Sequence, residues 1–258
     1  MQVKTSFLPA CAKTVADADV AIVIDVLRAS SVIVTALAAG ARRTFTTREV
    51  AQARRMADAY ESDQGSAPLL CGERQCVKME GFDLGNSPAS YTANRVKGRD
   101  LILTTTNGTQ AIAAAESARE VWIGCFLNLS AIRTALPQHA KIELICAGTN
   151  GSITMEDVLF AGAIVADCEQ QFEVETNDES IIARQLWTAS FGTKPLLSPE
   201  HLTSVLNRSQ GGRNLIRVGY ESDIRLCANV DAYSVIPKRV NADPVAFAAD
   251  SLMTVTER

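Results

Sequence analysis

The sequence predicts an α/β fold: a layered sheet of mainly parallel strands with helices on both faces. Two observations carry this. A short apolar run, a polar loop and a helical stretch recur three times, starting near residues 21, 101 and 142. The apolar runs are continuous rather than alternating, as strands covered on both faces read. Such a succession gives parallel strands joined by right-handed helical crossovers.

In the first unit Ala21, Ile22, Val23 and Ile24 form the strand, and residues 25–28 form the loop leaving it. Ser30 or Ser31 is placed to cap the following helix, and Gly40 to end it. The second unit runs from the strand 101–103 through the polar turn 104–109 to the alanine-rich helix 110–118. A strand at 121–125 and a short helix from Asn128 come next. In the third unit the strand 142–146 leads through 147–152 into a helix over 154–168. Residues 64–88 carry glycines and prolines without a clear period and read as a long ordered loop. Such loops inside compact domains are usually functional. Residues 209–225 are a second glycine-rich departure. Trp122 falls in a strand-like run and Trp187 in an amphipathic helix at 181–191, so both are expected in the core.

The 258 residues suffice for one compact unit, 1–258, within which the first two repeats suggest related lobes of about 1–98 and 99–258. An apolar share of 47 % supplies a core, and 25 basic residues against 29 acidic ones give a net charge of −4. That balance argues against nucleic acid as a partner, because phosphate-backbone binding needs a cationic surface. A local cationic pocket for a small anionic substrate remains compatible with it. Residues 1–9 lack the charged-then-apolar pattern of a secretory signal. No run approaches the roughly 18 apolar residues of a membrane span. The seven cysteines are odd in number and lack disulfide-framework spacing, so reduced, buried thiols and a cytoplasmic location are expected. A homo-oligomer is left open.

Ligands of open parallel sheets bind beyond the carboxyl ends of the strands. The three best strands are followed there by Asp25 and Arg28, by Thr104-Thr105-Thr106-Asn107-Gly108-Thr109, and by Gly148-Thr149-Asn150-Gly151. Hydroxyls, amides and glycines suit an oxyanion, since they offer close backbone approach and N–H donors. Each piece also has a structural reading. Asn-Gly is an ordinary turn dipeptide, Thr and Ser cap helices, Asp25 can brace a loop, and Arg28 can be a surface cation. In Thr154-Met155-Glu156-Asp157 the acids suit a first helical turn. Adjacent residues point in different directions on a helix, so one of the two at most faces a ligand, and Asp157 is preferred.

Common phosphatase chemistries are excluded by what is missing. A cysteine nucleophile needs an arginine at a fixed spacing downstream, and Cys71, for example, has Val77 there. His139 and His201 are the only histidines, and neither has an Arg-His-Gly context. The first strand ends Asp25-Val26-Leu27, without the second aspartate of an Asp-x-Asp pair. What remains is a hard cation held by carboxylates, or Asp25 as direct nucleophile; the sequence leaves both open.

These stretches assemble into a recognisable set. Ile24-Asp25-Val26-Leu27-Arg28-Ala29-Ser30-Ser31 resembles the N-terminal signature of the 2-phosphosulfolactate phosphatases. Gly72-Glu73-Arg74, with Gly81-Phe82-Asp83-Leu84-Gly85-Asn86-Ser87-Pro88, resembles the central loop of that family. The 104–109 block, Cys146-Ala147-Gly148 with Glu156-Asp157, and Ser209-Gln210-Gly211-Gly212-Arg213-Asn214-Leu215 with Asp223-Ile224 follow in family order. Gln75-Cys76 departs from it, standing where a small residue, usually glycine, is expected.

The resemblance implies Mg²⁺-dependent hydrolysis of (2R)-2-phospho-3-sulfolactate to 3-sulfolactate and phosphate, a step of coenzyme M biosynthesis in methanogens. It implies Asp25 and Asp157 as metal ligands, with Glu73 as third carboxylate or general base and Asp83 as a weaker candidate. Arg28 with Thr106, Asn107, Gly108 and Thr109 would bind the phosphoryl group. Arg74, Asn86 and Arg213 would grip the carboxylate and sulfonate, with Asp223 orienting Arg213; arginine suits such oxyanions. The alternatives are another phosphorylated hydroxy acid on the same scaffold, or a non-catalytic anion-binding module, which would gain nothing from clustered carboxylates.

Overall fold

A computed structural model describes residues 1–13, 15–60, 66–193 and 197–249. Gln64 and Gly65 of the expected central loop, and residues 250–258, lie outside the described residues. In chain order the elements are β1 (Gln2–Ser6), β2 (Val20–Ile24), α1 (Ala29–Ala38), β3 (Arg43–Thr47), α2 (Val50–Asp58), β4 (Leu69–Arg74), β5 (Val77–Lys78), α3 (Ala93–Val96) and β6 (Asp100–Thr104). Next come α4 (Gly108–Ala114), β7 (Glu120–Gly124), α5 (Leu129–Ala135), β8 (Lys141–Cys146), α6 (Met155–Gln171), β9 (Glu175–Thr176) and α7 (Asp178–Phe191). The chain closes with α8 (Pro199–Asn207), α9 (Gln210–Arg217), α10 (Glu221–Cys227), β10 (Pro237–Ala242) and β11 (Val245–Ala249).

The strands form one mixed, mostly parallel sheet in the order β5-β4-β6-β3-β11-β10-β7-β2-β8-β1-β9. Two parallel blocks, β4-β6-β3 and β7-β2-β8-β1, are joined by the antiparallel β10–β11 hairpin. Strands from either side of residue 98 interleave in both blocks, so the suggested division there does not separate two lobes. β6 lies between β3 and β4, and β2 between β7 and β8.

The buried runs behave as their composition predicts. Along β2, Val20, Ile22 and Ile24 enter one apolar cluster, with residues of α6, α7 and α8. Ala21 and Val23 enter the opposite cluster, with α1 and α4. Period-two alternation thus sends side chains to two covered faces, each buried aliphatic contributing about 1.5–3 kcal/mol. Trp187 lies against Phe126 and Phe191, and Trp122 is buried in β7 under the Lys238 ammonium; both serve the core. All seven cysteines are free thiols. Among the described residues no helix is long and apolar enough to cross a membrane.

The hairpin decides where the site falls. Three successive antiparallel steps, β3–β11–β10–β7, set the two blocks running in opposite senses. Twist of about 20–25° per strand accumulates to about 100° or more over the five steps from β6 to β2. It swings their carboxyl ends, opposed by topology, towards one another.

Two expectations are corrected. Residues 64–88 are not a long loop: they hold β4, paired in parallel with β6, and the short β4–β5 hairpin. Residues 209–225 hold two helices, α9 and α10, the first capped by Ser209 through its hydroxyl on the Gly212 N–H.

Candidate active site

The loop after β2 is organised by Asp25. Its Oδ1 accepts from the Ala29 N–H at 3.1 Å, and its own N–H donates to Ser30 Oγ at 2.9 Å. Ser30 and Ser31 are therefore not the caps of α1. They sit in its first turn and donate back to the Val23 and Val26 carbonyls, while Asp25 caps the helix. Only 7 % of Asp25 is exposed. Burial raises its pKa to about 7; the Ala29 N–H pulls it down, the charges of Glu73 and Glu156 push it up, and Arg28 eases it.

Glu73, at the end of β4, faces the turn after β6. One carboxylate oxygen accepts from the Thr106 N–H and hydroxyl at 3.3 and 3.2 Å, the other from the Cys76 N–H at 2.7 Å. Cys76 and Gln75 form the hairpin tip with φ of 67° and 54°. Glycine adopts this left-handed region without strain, which explains why a small residue is expected there. Arg74 is held by the Glu73 and Arg48 carbonyls and the Thr104 hydroxyl.

Arg28 is 3 % exposed and heavily engaged. It donates to Asp223 at 2.5 Å and to the Cys76 carbonyl at 2.8 Å, and it lies 4.6 Å from the Tyr220 ring centroid. Asp223 also accepts from the Ser87 hydroxyl at 2.8 Å. Asp223 therefore orients Arg28, not Arg213 as the sequence suggested.

The adjacent acids at the start of α6 are held differently. Asp157 accepts from the Val26 and Gly148 N–H groups at 2.9 and 3.0 Å and from the Thr154 hydroxyl at 3.1 Å. Through both its oxygens Asp157 ties the β2 and β8 loops together, and it does not line the cleft that holds Asp25. Burial, then the charges of Glu156 and Asp25, hold its pKa well above the usual carboxylate range. Glu156 accepts from the Gly211 N–H through Oε1, whereas its buried Oε2 has no partner.

Asp25, Arg28, Glu73, Arg74, Asn86, Thr106 and Asn107 line one cleft of about 740 Å³. The structure brings these seven sequence-predicted residues into one place. Gly108 and Thr109 lie behind the wall, where Thr109 donates to the Thr105 carbonyl. Asp83 accepts from the Leu70 N–H and serves its own loop. Arg213 is turned outward, its guanidinium on the Arg208 carbonyl and the Gln210 side chain. In its place Arg217, one helical turn further along α9, lines the cleft together with Gly211, Asn214 and Val218. The signal for Arg217 was the i, i+3, i+7 face of Gly211, Asn214 and Val218, visible only once 209–225 is read as a helix.

Gly108 has no room for a side chain. A Cβ there would lie 2.7 Å from Ala29 Cβ and 2.9 Å from Asp25 Oδ2. Gly108→Ala is expected to displace the Asp25 carboxylate and lower kcat by about 10²-fold, the scale of an ångström-sized misplacement. Steady-state kinetics beside a wild-type circular dichroism spectrum checks this; an unchanged kcat refutes it.

Acids beside arginines, on loops at the carboxyl ends of two converging parallel blocks, define an α/β enzyme that handles a small oxyanion. The comparisons make that class specific. The model of the 2-phosphosulpholactate phosphatase family matches residues 8–242. A relative from Pseudothermotoga lettingae is 40 % identical over 231 residues, covering 90 % of this chain and 92 % of the relative. One from Synechococcus is 34 % identical over 249 residues, 95 % of each chain. Both carry the name probable 2-phosphosulfolactate phosphatase. The chain belongs to the 2-phosphosulfolactate phosphatase family, and its class is that of a phosphoric monoester hydrolase.

Proposed function

We propose that this protein hydrolyses (2R)-2-phospho-3-sulfolactate to 3-sulfolactate and phosphate with Mg²⁺, in the cytoplasm. The observation that carries the reading is the meeting of Asp25 and Glu73 with Arg28 and Arg74 in one cleft.

Mg²⁺ fits the donor set. The buried Thr105 Oγ1, Asn86 Oδ1 and Glu156 Oε2 lack hydrogen-bond partners, and with the Asp25 and Glu73 carboxylates they offer the hard oxygens such an ion takes. Among the described residues no three His, Cys, Asp or Glu side chains form a cage of their own. Mg²⁺ commonly takes one or two carboxylates, keeps waters and shares the oxygens of a substrate phosphate. Asp25 is the residue that would hold it, with Glu156 behind it. When bound, the ion supplies charge to the phosphoryl oxygens and offsets the crowding of acids.

The remaining chemistry belongs to side chains of the chain. Arg28, oriented by Asp223, and the Thr106–Asn107 turn receive the phosphoryl group. Glu73, fixed by Thr106, accepts the proton of the attacking water as the water oxygen bonds to phosphorus and the ester P–O bond breaks. The proton then passes to the leaving oxygen, which becomes the 3-sulfolactate hydroxyl. Arg74 and Asn86 receive the substrate carboxylate. Phosphate release from phosphosulfolactate, stimulated by Mg²⁺ and abolished by a chelator, is the expected result. Release from phospholactate or phosphoglycerate at equal or higher kcat/KM would reassign the substrate. No release from any of them would refute the activity.

A further inference from the structure

The three arginines of the cleft are not equivalent. Arg28 is neutralised by Asp223 at 2.5 Å, so its charge is already balanced within the protein. Arg74 spends its guanidinium on two carbonyls and a hydroxyl beside Glu73. Arg217 forms no ion pair among the described residues. Its contact is the Asn214 side-chain oxygen at 2.7 Å, which also accepts from Gln210 at 2.9 Å. Asn214 thus holds the guanidinium on the α9 side of the cleft without neutralising it. Arg217 lines the same cleft as Val77 and Val218, which supply apolar surface beside it.

A substrate with three anionic groups needs a third cationic contact, apart from those that serve phosphate and carboxylate. We propose that Arg217, positioned by Asn214, is the specificity residue that binds the sulfonate end of the substrate. A guanidinium fork suits a sulfonate, which is tetrahedral, singly charged and a multiple acceptor. The inference rests on the phosphosulfolactate reading. It adds that discrimination between a sulfonated substrate and its methyl counterpart resides in α9.

The test compares phosphosulfolactate with 2-phospholactate, which carries a methyl in place of the sulfonate-bearing carbon. In Arg217→Gln the ratio of the two kcat/KM values is expected to fall about tenfold or more, the usual worth of a charge-assisted hydrogen bond. The loss should lie mainly in KM for the sulfonated ester, and Arg217→Lys should recover part of it. Arg225→Gln removes an exposed charge on α10, outside the cleft, and should leave the ratio unchanged. Calorimetric titration with 3-sulfolactate and with lactate gives a readout independent of turnover. If 3-sulfolactate binds no better than lactate, or binds equally to wild type and Arg217→Gln, the inference is overturned. If it binds through Arg217 while phosphosulfolactate is not hydrolysed, the activity reading fails and the sulfonate site stands.

Discussion

Asp25→Asn is expected to lower turnover by about 10³-fold or more, equivalent to ~4 kcal/mol of lost transition-state stabilisation, while making the metal-free protein more stable. Both effects have one cause. The carboxylate is buried beside Glu73 and Glu156, and its pKa stands at about 7 instead of 3.8. Between these values the folded state binds the proton and the unfolded chain does not. Stability therefore falls as pH rises through the window from about 4 to 7, and stays low above it. Three units correspond to a ceiling of about 4 kcal/mol. Asparagine keeps an oxygen for the Ala29 N–H but never ionises. The thermal midpoint of the variant, measured with chelator present, should exceed that of wild type by up to about 8–16 °C above pH 7. Near pH 4 the two should coincide. Wild-type turnover would remove Asp25 from the chemistry, and a midpoint difference independent of pH would remove its raised pKa.

Which parts of the site were readable follows from where they sit relative to the strands. Asp25, Thr106 and Asn107 directly follow continuous apolar runs, so the rule of strand ends locates them without any knowledge of the pairing partners. Glu73, Arg74 and Asn86 were found through the family blocks instead. Their strand, β4, has only Leu69, Leu70 and Cys71 before the polar Gly72-Glu73-Arg74, too short a run for periodicity to register. The β10–β11 hairpin is equally silent. Lys238, Arg239 and Asn241 interrupt its apolar pattern, and Lys238 is tolerated because it covers Trp122. The different partners of Glu156 and Asp157 follow from the rotation of α6 about its axis. Neighbouring residues diverge by about 100° on a helix, so the direction of each is set by packing rather than by local sequence.

Removal of Asp223 gives the second large effect. Arg28 and Asp223 are 195 positions apart in sequence, and their side chains are 2 % and 1 % exposed. No local pattern announces such a pair, yet it fastens α10 to the loop beyond β2. Asp223→Ala strands a buried guanidinium on a carbonyl and a ring face and deprives Ser87 of its acceptor. A cost of about 3–5 kcal/mol in urea unfolding is expected, because a lone buried charge retains its desolvation penalty without the compensating attraction. Under about 1 kcal/mol would refute this account. The double variant Arg28→Met, Asp223→Leu separates stability from function. Apolar residues of similar volume commonly replace a buried ion pair at little cost, so the double variant should regain most of the lost stability. Its phosphatase activity should nevertheless stay abolished, since methionine presents no donors to a phosphoryl oxygen. A stable, inactive double variant separates the need for Arg28 in the cleft from the stability its ion pair supplies. A stable and active one would mean that the phosphoryl group is received elsewhere.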